Sequence, residues 1–84
     1  MIEDPSAIRA LARAVRSRAD AIEHLATQLA HAAEAVAWQG AAADAMRASA
    51  HHSASSLRRT AALHRDAADA LETHARRVGH VLDA

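Results

Sequence analysis

Cysteine is absent from the chain, as are Lys, Phe and Tyr, and proline occurs once. Without cysteine there is no disulfide and no thiolate metal site to hold a small fold together. Without Phe and Tyr, Trp38 is the single aromatic residue of the 84, so no aromatic core is available. Ten Arg balance ten acids, leaving no net charge to attract nucleic acid or an anionic membrane. Every apolar stretch is interrupted by Arg, Asp, Glu or His, so no window reaches the length of a membrane span. No basic start followed by an apolar run marks a cleaved signal peptide. Arg in place of Lys, together with abundant Ala, points to a GC-rich coding sequence.

What the chain does contain is helical periodicity. Asp4 is a good N-cap and Pro5 fits the first helical position, with Glu3 and Asp4 complementing the positive end of the helix dipole. Ile8, Val15, Ile22, Leu29 and Val36 follow at intervals of one heptad. Leu11, Leu25 and Ala32 fill a second seam position, which Arg18 interrupts and Ala19 covers from the side. This is a coiled-coil-like seam. It predicts a first helix over about residues 5–37, roughly 50 Å long at ~1.5 Å per residue. The pair Gln39-Gly40 is the break between periodic segments, giving a tight turn over 38–40. A second helix is predicted from about 41 to 78, or on to 83, with Asp44 in its first turn. Met46, Ala50, Leu57, Ala61, Leu71 and Val78 lie near one face, Leu63 and Ala67 widen that stripe, and Ala54, Ala68 and Ala75 act as small fillers. Leu82 continues the stripe, Arg76 and Arg77 suit the C-terminal end of the dipole, and Gly79 marks a C-cap. The stretch "HHSASSLRR" is rich in Ser but has no Gly or Pro, and is read as helix.

The expected fold is therefore all-α: one antiparallel two-helix hairpin spanning residues 1–84. So small a chain buries little of its surface alone, and its apolar edges are wide. The hairpin is expected to dimerise into a four-helix bundle. The dimer or hairpin interface is assigned to Ile8, Leu11, Val15, Ile22, Leu25, Leu29, Val36, Met46, Leu57, Leu63, Leu71 and Val78.

Trp38-Gln39-Gly40, at the turn between two helices in a cysteine-free chain of this size, resembles the WXG family of type VII secretion substrates of actinobacteria and firmicutes. The resemblance covers the whole chain in architecture and rests on Trp38 and Gly40 at the residue level. It implies a helical hairpin that pairs with a second hairpin and leaves the cytoplasm folded, without a cleaved signal, to become secreted or surface-exposed. It also implies that Trp38 and Gly40 contribute to a composite export signal read by the secretion ATPase. The family carries Tyr-x-x-x-Asp/Glu after its second helix, and "HARRVGHVLDA" has no equivalent. That departure favours a heterodimer, with another WXG-like hairpin supplying the tail, over a homodimer. The alternative partner is a larger secreted effector or toxin, on whose helical N-terminal region the chain would act as an adaptor or targeting chaperone.

Other chemistry is sparse. The seven His include no HExxH pattern, and adjacent His51 and His52 point about 100° apart on a helix, so no metal site and no cofactor is expected. His64 and His74 fall close to the second seam, where protonation near pH 6 would charge a partly buried surface and loosen a dimer. Arg58-Arg59 and Arg76-Arg77 flank Asp66, Asp69 and Glu72, a mixed and solvated face rather than a basic stripe. No nucleophile triad, buried carboxylate pair or phosphate-cradling loop is present, and a hairpin offers no ligand-sized pocket; no enzymatic activity is expected. The amphipathic helices lack aromatic anchors other than Trp38, so no membrane partner is expected either.

Overall fold

The computed structural model describes residues 4–83. Glu3, assigned above to the first helix dipole, lies outside the described residues. Two helices, α1 (Pro5–Glu34) and α2 (Ala41–Asp83), pack along each other as a hairpin, with no strand among the described residues. The start of α1 follows from its cap. Asp4 has extended backbone angles, its carboxylate accepts from the Ser6 N–H at 2.9 Å, and Pro5 takes the first-turn position where a missing N–H costs nothing. The rod measures 66 × 16 × 13 Å, its length being that of α2 alone at ~1.5 Å per residue.

The interior is built from alanine. Ala12, Ala19, Ala26 and Ala33 of α1 and Ala43, Ala54, Ala61, Ala68 and Ala75 of α2 are the buried residues, and no larger side chain is fully buried among those described. The α1 set recurs at heptad spacing, and so does the α2 set from Ala54 onward. Beside them runs a second heptad series that is half-buried: Ile8, Val15, Ile22 and Leu29 on α1, and Ala50, Leu57, His64, Leu71 and Val78 on α2; Val36, expected in the first helix, is half-buried in the connection instead. Ion pairs across the seam set an antiparallel register: Arg16 with Asp69 and Glu72, Arg65 with Asp20 and Glu23. That register sets Ala12 against Ala75, Ala19 against Ala68, Ala26 against Ala61 and Ala33 against Ala54. With only a methyl group from each side in these layers, the helices approach closely, and the larger aliphatic residues wrap the edges of the contact.

This arrangement relocates part of the expected seam. The second seam position of α1 is the Ala series, one residue on from Leu11, Arg18, Leu25 and Ala32. A one-residue step turns a side chain by about 100°, so Leu11 and Leu25 are left 54% and 55% exposed. On α2, Leu63 at 67% is likewise outside the hairpin seam; Leu82, seven residues on from Ala75 and so in phase with the seam, is 52% exposed because it lies at the end of α2, while Met46 is half-buried near the connection. Large apolar residues mark the edges here, and the smallest ones mark the centre.

The helix bounds also differ from those read in the sequence. α1 ends at Glu34 rather than near 37, with Ala35 as C-cap bonded back to the His31 carbonyl. The connection is residues 35–40, not a tight turn over 38–40. α2 begins at Ala41, and the Gly40 carbonyl accepts its first helical bond from the Asp44 N–H at 3.0 Å. Gly40 has φ 106°, a region in which a Cβ is strained. Gly79 does not end α2, which continues to Asp83. Gly79 instead lies beneath Pro5 and Arg9 at the open end of the hairpin. Arg76 and Arg77 are therefore a turn inside the helix, and His80 is the basic residue of its last turn. The Ser-rich stretch 51–59 is helical throughout.

Candidate interaction surface and connection

The two sides of the hairpin differ in chemistry. On one side the ion pairs bridge the helices. The Arg16 guanidinium donates to Asp69 Oδ1 at 2.6 Å and to both Glu72 oxygens at 2.9 and 3.1 Å. Arg65 donates to Asp20 Oδ1 at 2.9 Å and Glu23 Oε2 at 2.6 Å. The hydrogen bond from Arg16 holds the Glu72 carboxyl below its ordinary value, and the bonds to Glu72 and Asp69 raise Arg16 in turn. Arg65 is raised by Asp20 and then Glu23. Nearer the connection, His51 Nε2 donates to Glu34 Oε1 at 2.5 Å and lowers the Glu34 carboxyl.

These forks are reciprocal, and their origin is a repeat. "RSRADAIE" at residues 16–23 recurs as "RDAADALE" at 65–72. Each segment's Arg meets the other's Asp and Glu, as a two-fold axis between antiparallel helices requires. Of these charges only Asp69 and Glu72 belong to the face expected to be mixed and solvated, and the repeat is visible only when the two octapeptides are compared. Arg, Asp and Glu at these offsets flank the seam on the same side, so two copies of one segment laid antiparallel satisfy each other.

The opposite side is apolar and open. Leu11, Ala14, Ala21 and Leu25 of α1 and Leu63, Ala67 and Ala70 of α2 are all exposed there. Between the helices lies a shallow groove of about 180 Å³ lined by Leu11, Ala14, Val15, Arg18 and His64. Of the two His singled out by the sequence, His64 occupies a half-buried seam position, its Nδ1 donating to the Thr60 carbonyl at 2.9 Å. His74 is exposed, a step away from the seam. Among the described residues no group of His, Asp and Glu is placed to hold a metal ion, and no helix is long and apolar enough to cross a membrane.

At the closed end, Arg47 organises the connection. Its Nη2 donates to the carbonyls of Val36 at 2.9 Å and Trp38 at 2.8 Å, while Nη1 reaches Asp44 at 3.4 Å. Those carbonyls have left the helix, and the guanidinium gives them partners that α1 no longer supplies. Arg47 carries no apolar signature and was not singled out from the sequence; only the loop it braces reveals its role. Trp38, held by its own carbonyl, leaves its side chain half-exposed at the tip, beside Gly40. Sequence and structure place Trp38 and Gly40 together here, while the interface residues divide into a half-buried seam and the open Leu face. Compared with known proteins, the chain matches no family model, no curated protein and no solved structure.

Proposed function

We propose that the chain is a binding module of the WXG type: a hairpin that pairs through its open Leu/Ala face with another hairpin in a four-helix bundle, and that serves type VII secretion through the Trp38–Gly40 tip. The observation that carries the reading is the pairing of two exposed features on one rod. A half-exposed Trp stands at the tip, next to a glycine whose φ of 106° fixes the connection. An unpartnered aliphatic face, with Leu11, Leu25 and Leu63 more than half exposed, runs along the side. The face is suited to a helical partner, because its Leu and Ala side chains, interrupted on α1 by Arg18, form ridges and grooves for a second pair of helices. A large indole held at the end of such a rod suits recognition, since it supplies contact area at little cost in side-chain freedom.

The test is export of the tagged chain from an actinobacterial host with and without a working type VII ATPase. The chain is expected in the culture medium only when the ATPase functions, and Trp38→Ala is expected to reduce its export at least several-fold while helicity by circular dichroism is unchanged. A chain retained in cells equally in both strains overturns the reading.

A further inference from the structure

We infer that the chain has a second assembly, in which two copies open at residues 35–40 and exchange α2 across the interface that closes the hairpin. The partner is a second copy of this chain, and the surface is the alanine seam itself. This proposal does not depend on the export role.

The argument begins with phase. The half-buried heptad series of α1 ends at Leu29; its spacing continues at Val36, half-buried in the connection, and seven residues on is Ala43, the first buried residue of α2. The alanine series passes from Ala33 through Gly40 and Arg47 to Ala54 without losing its spacing. A hairpin needs no such agreement, because a loop can join two stripes in any rotational phase. Here the connection keeps the phase, so if residues 35–40 were helical the chain would be one straight helix with a single unbroken stripe from Ile8 to Val78.

Two such helices laid antiparallel reproduce every α1–α2 layer of the hairpin in the same register. The ion pairs re-form between chains: Arg16 of one copy meets Asp69 and Glu72 of the other, and Arg65 meets Asp20 and Glu23, because the octapeptide repeat is already arranged about a two-fold axis. What changes is confined to the connection. Residues 35–40 contain no proline and their carbonyls, two of which Arg47 now bonds, gain helical partners. Gly40 exchanges a φ of 106° for a helical one. In the new central layers the register sets Gly40 opposite the partner's Arg47, so the missing side chain at Gly40 leaves room for the Arg47 stem, whose guanidinium gives up its bonds to the Val36 and Trp38 carbonyls and turns to solvent. When the closed and exchanged forms share their contacts, a hinge of a few residues decides between them, and exchange is a low-cost route to a dimer. Gly40 is that hinge, as the residue best suited to the loop and least suited to the helix.

Absence of cysteine makes the test direct. Ser6→Cys and His80→Cys place two dyes at the open end, where residues 5 and 79 adjoin. The labelled chain is unfolded with a large excess of unlabelled chain, refolded at millimolar concentration, and separated by mass. In an exchanged dimer the dyes of one chain stand roughly 110 Å apart, at ~1.5 Å per residue, beyond the reach of energy transfer. The expected result is a dimer fraction with transfer near zero, a monomer fraction with high transfer, and a several-fold larger dimer share for Gly40→Ala. High transfer in part of the dimer fraction marks closed hairpins associated side by side through the Leu/Ala face, which is the other assembly; a dimer fraction with no low-transfer species at all overturns the proposal. If Gly40→Ala loses helicity, the chain with native Gly40 decides the question alone.

Discussion

At the residue scale the unusual property is that alanine does the work usually given to leucine. A methyl group that is 0% exposed, as at Ala19, Ala26, Ala61 and Ala68, contributes little apolar area of its own. Its value is the proximity it permits, which brings two backbones and the flanking Ile, Leu and Val stems together. Enlarging such a side chain therefore does harm. Ala19→Leu is expected to lower stability by about 1–3 kcal/mol, as over-packing does in a filled core. Leu25→Ala, on the open face, is expected to change the monomeric hairpin by no more than about 0.5 kcal/mol. Thermal melting by circular dichroism at concentrations where the chain is monomeric checks both. Equal losses for the two variants would mean that the alanine layers are not the core. The sequence made the wrong member of each neighbouring pair look structural: hydrophobicity ranks Leu11 above Ala12 and Leu25 above Ala26, and only the partner helix shows that the space there admits a methyl group.

At the element scale, periodicity and caps were legible and the connection was not. The Asp4–Pro5 start, the heptad series of α1 and the passage of helix through the Ser-rich stretch all follow from local rules. The end of α1 does not, because Ala35, Val36 and Ala37 are compatible with helix. Glu34, the last residue of α1, is tied to α2 by its bond with His51. Arg47 then holds the departing chain through carbonyls that have no sequence signature. The cross-helix bonds also give the hairpin an acid limit. The bond from His51 lowers the Glu34 carboxyl, and the bond from Arg16 lowers Glu72, each below its ordinary value of 4.5. A carboxyl lowered in the folded state binds fewer protons there than in the unfolded chain, so stability rises with pH across that interval. The contribution is complete above pH 4.5 and is lost as pH falls through the lowered folded values. The melting midpoint is expected to fall as the pH is taken from 5 towards 3, and Glu34→Gln with Glu72→Gln is expected to flatten that fall. A midpoint that stays level in the native chain over the same range would show that these bonds add nothing to stability.

At the scale of the whole molecule, the hairpin has more surface than its mass calls for. A compact protein of 8.9 kDa exposes about 4,800 Å², and this chain exposes 5865 Å². Its radius of gyration is 19.1 Å, against about 12 Å for a globular chain of this length. The excess, on the order of 1,000 Å² by the same scaling, is comparable with the roughly 800 Å² that each partner contributes to a standard interface. It is not spread evenly in character, since one side is occupied by ion pairs and the other by Leu and Ala. Burying the charged side would strip water from Arg16 and Arg65 with their carboxylates already paired, which gains little. Burying the apolar side removes Leu11, Leu25 and Leu63 from water, and Arg18, which lines the groove there, is long enough to keep its guanidinium at the rim. The expected contact is therefore one-sided, and it separates from hairpin stability by mutation. Leu25→Glu with Leu63→Glu is expected to keep the helicity and melting of the monomer and to weaken association at least tenfold, measured as mass against concentration by light scattering. Arg13→Glu on the ion-paired side, lined there with Arg9, Glu72 and Arg76, is expected to leave association within about twofold, as rim and surface charges do in salt. If the two Leu substitutions left the mass profile unchanged while the Arg substitution abolished it, the charged side would be the contact, and the apolar face would have to be covered by something other than a helical partner.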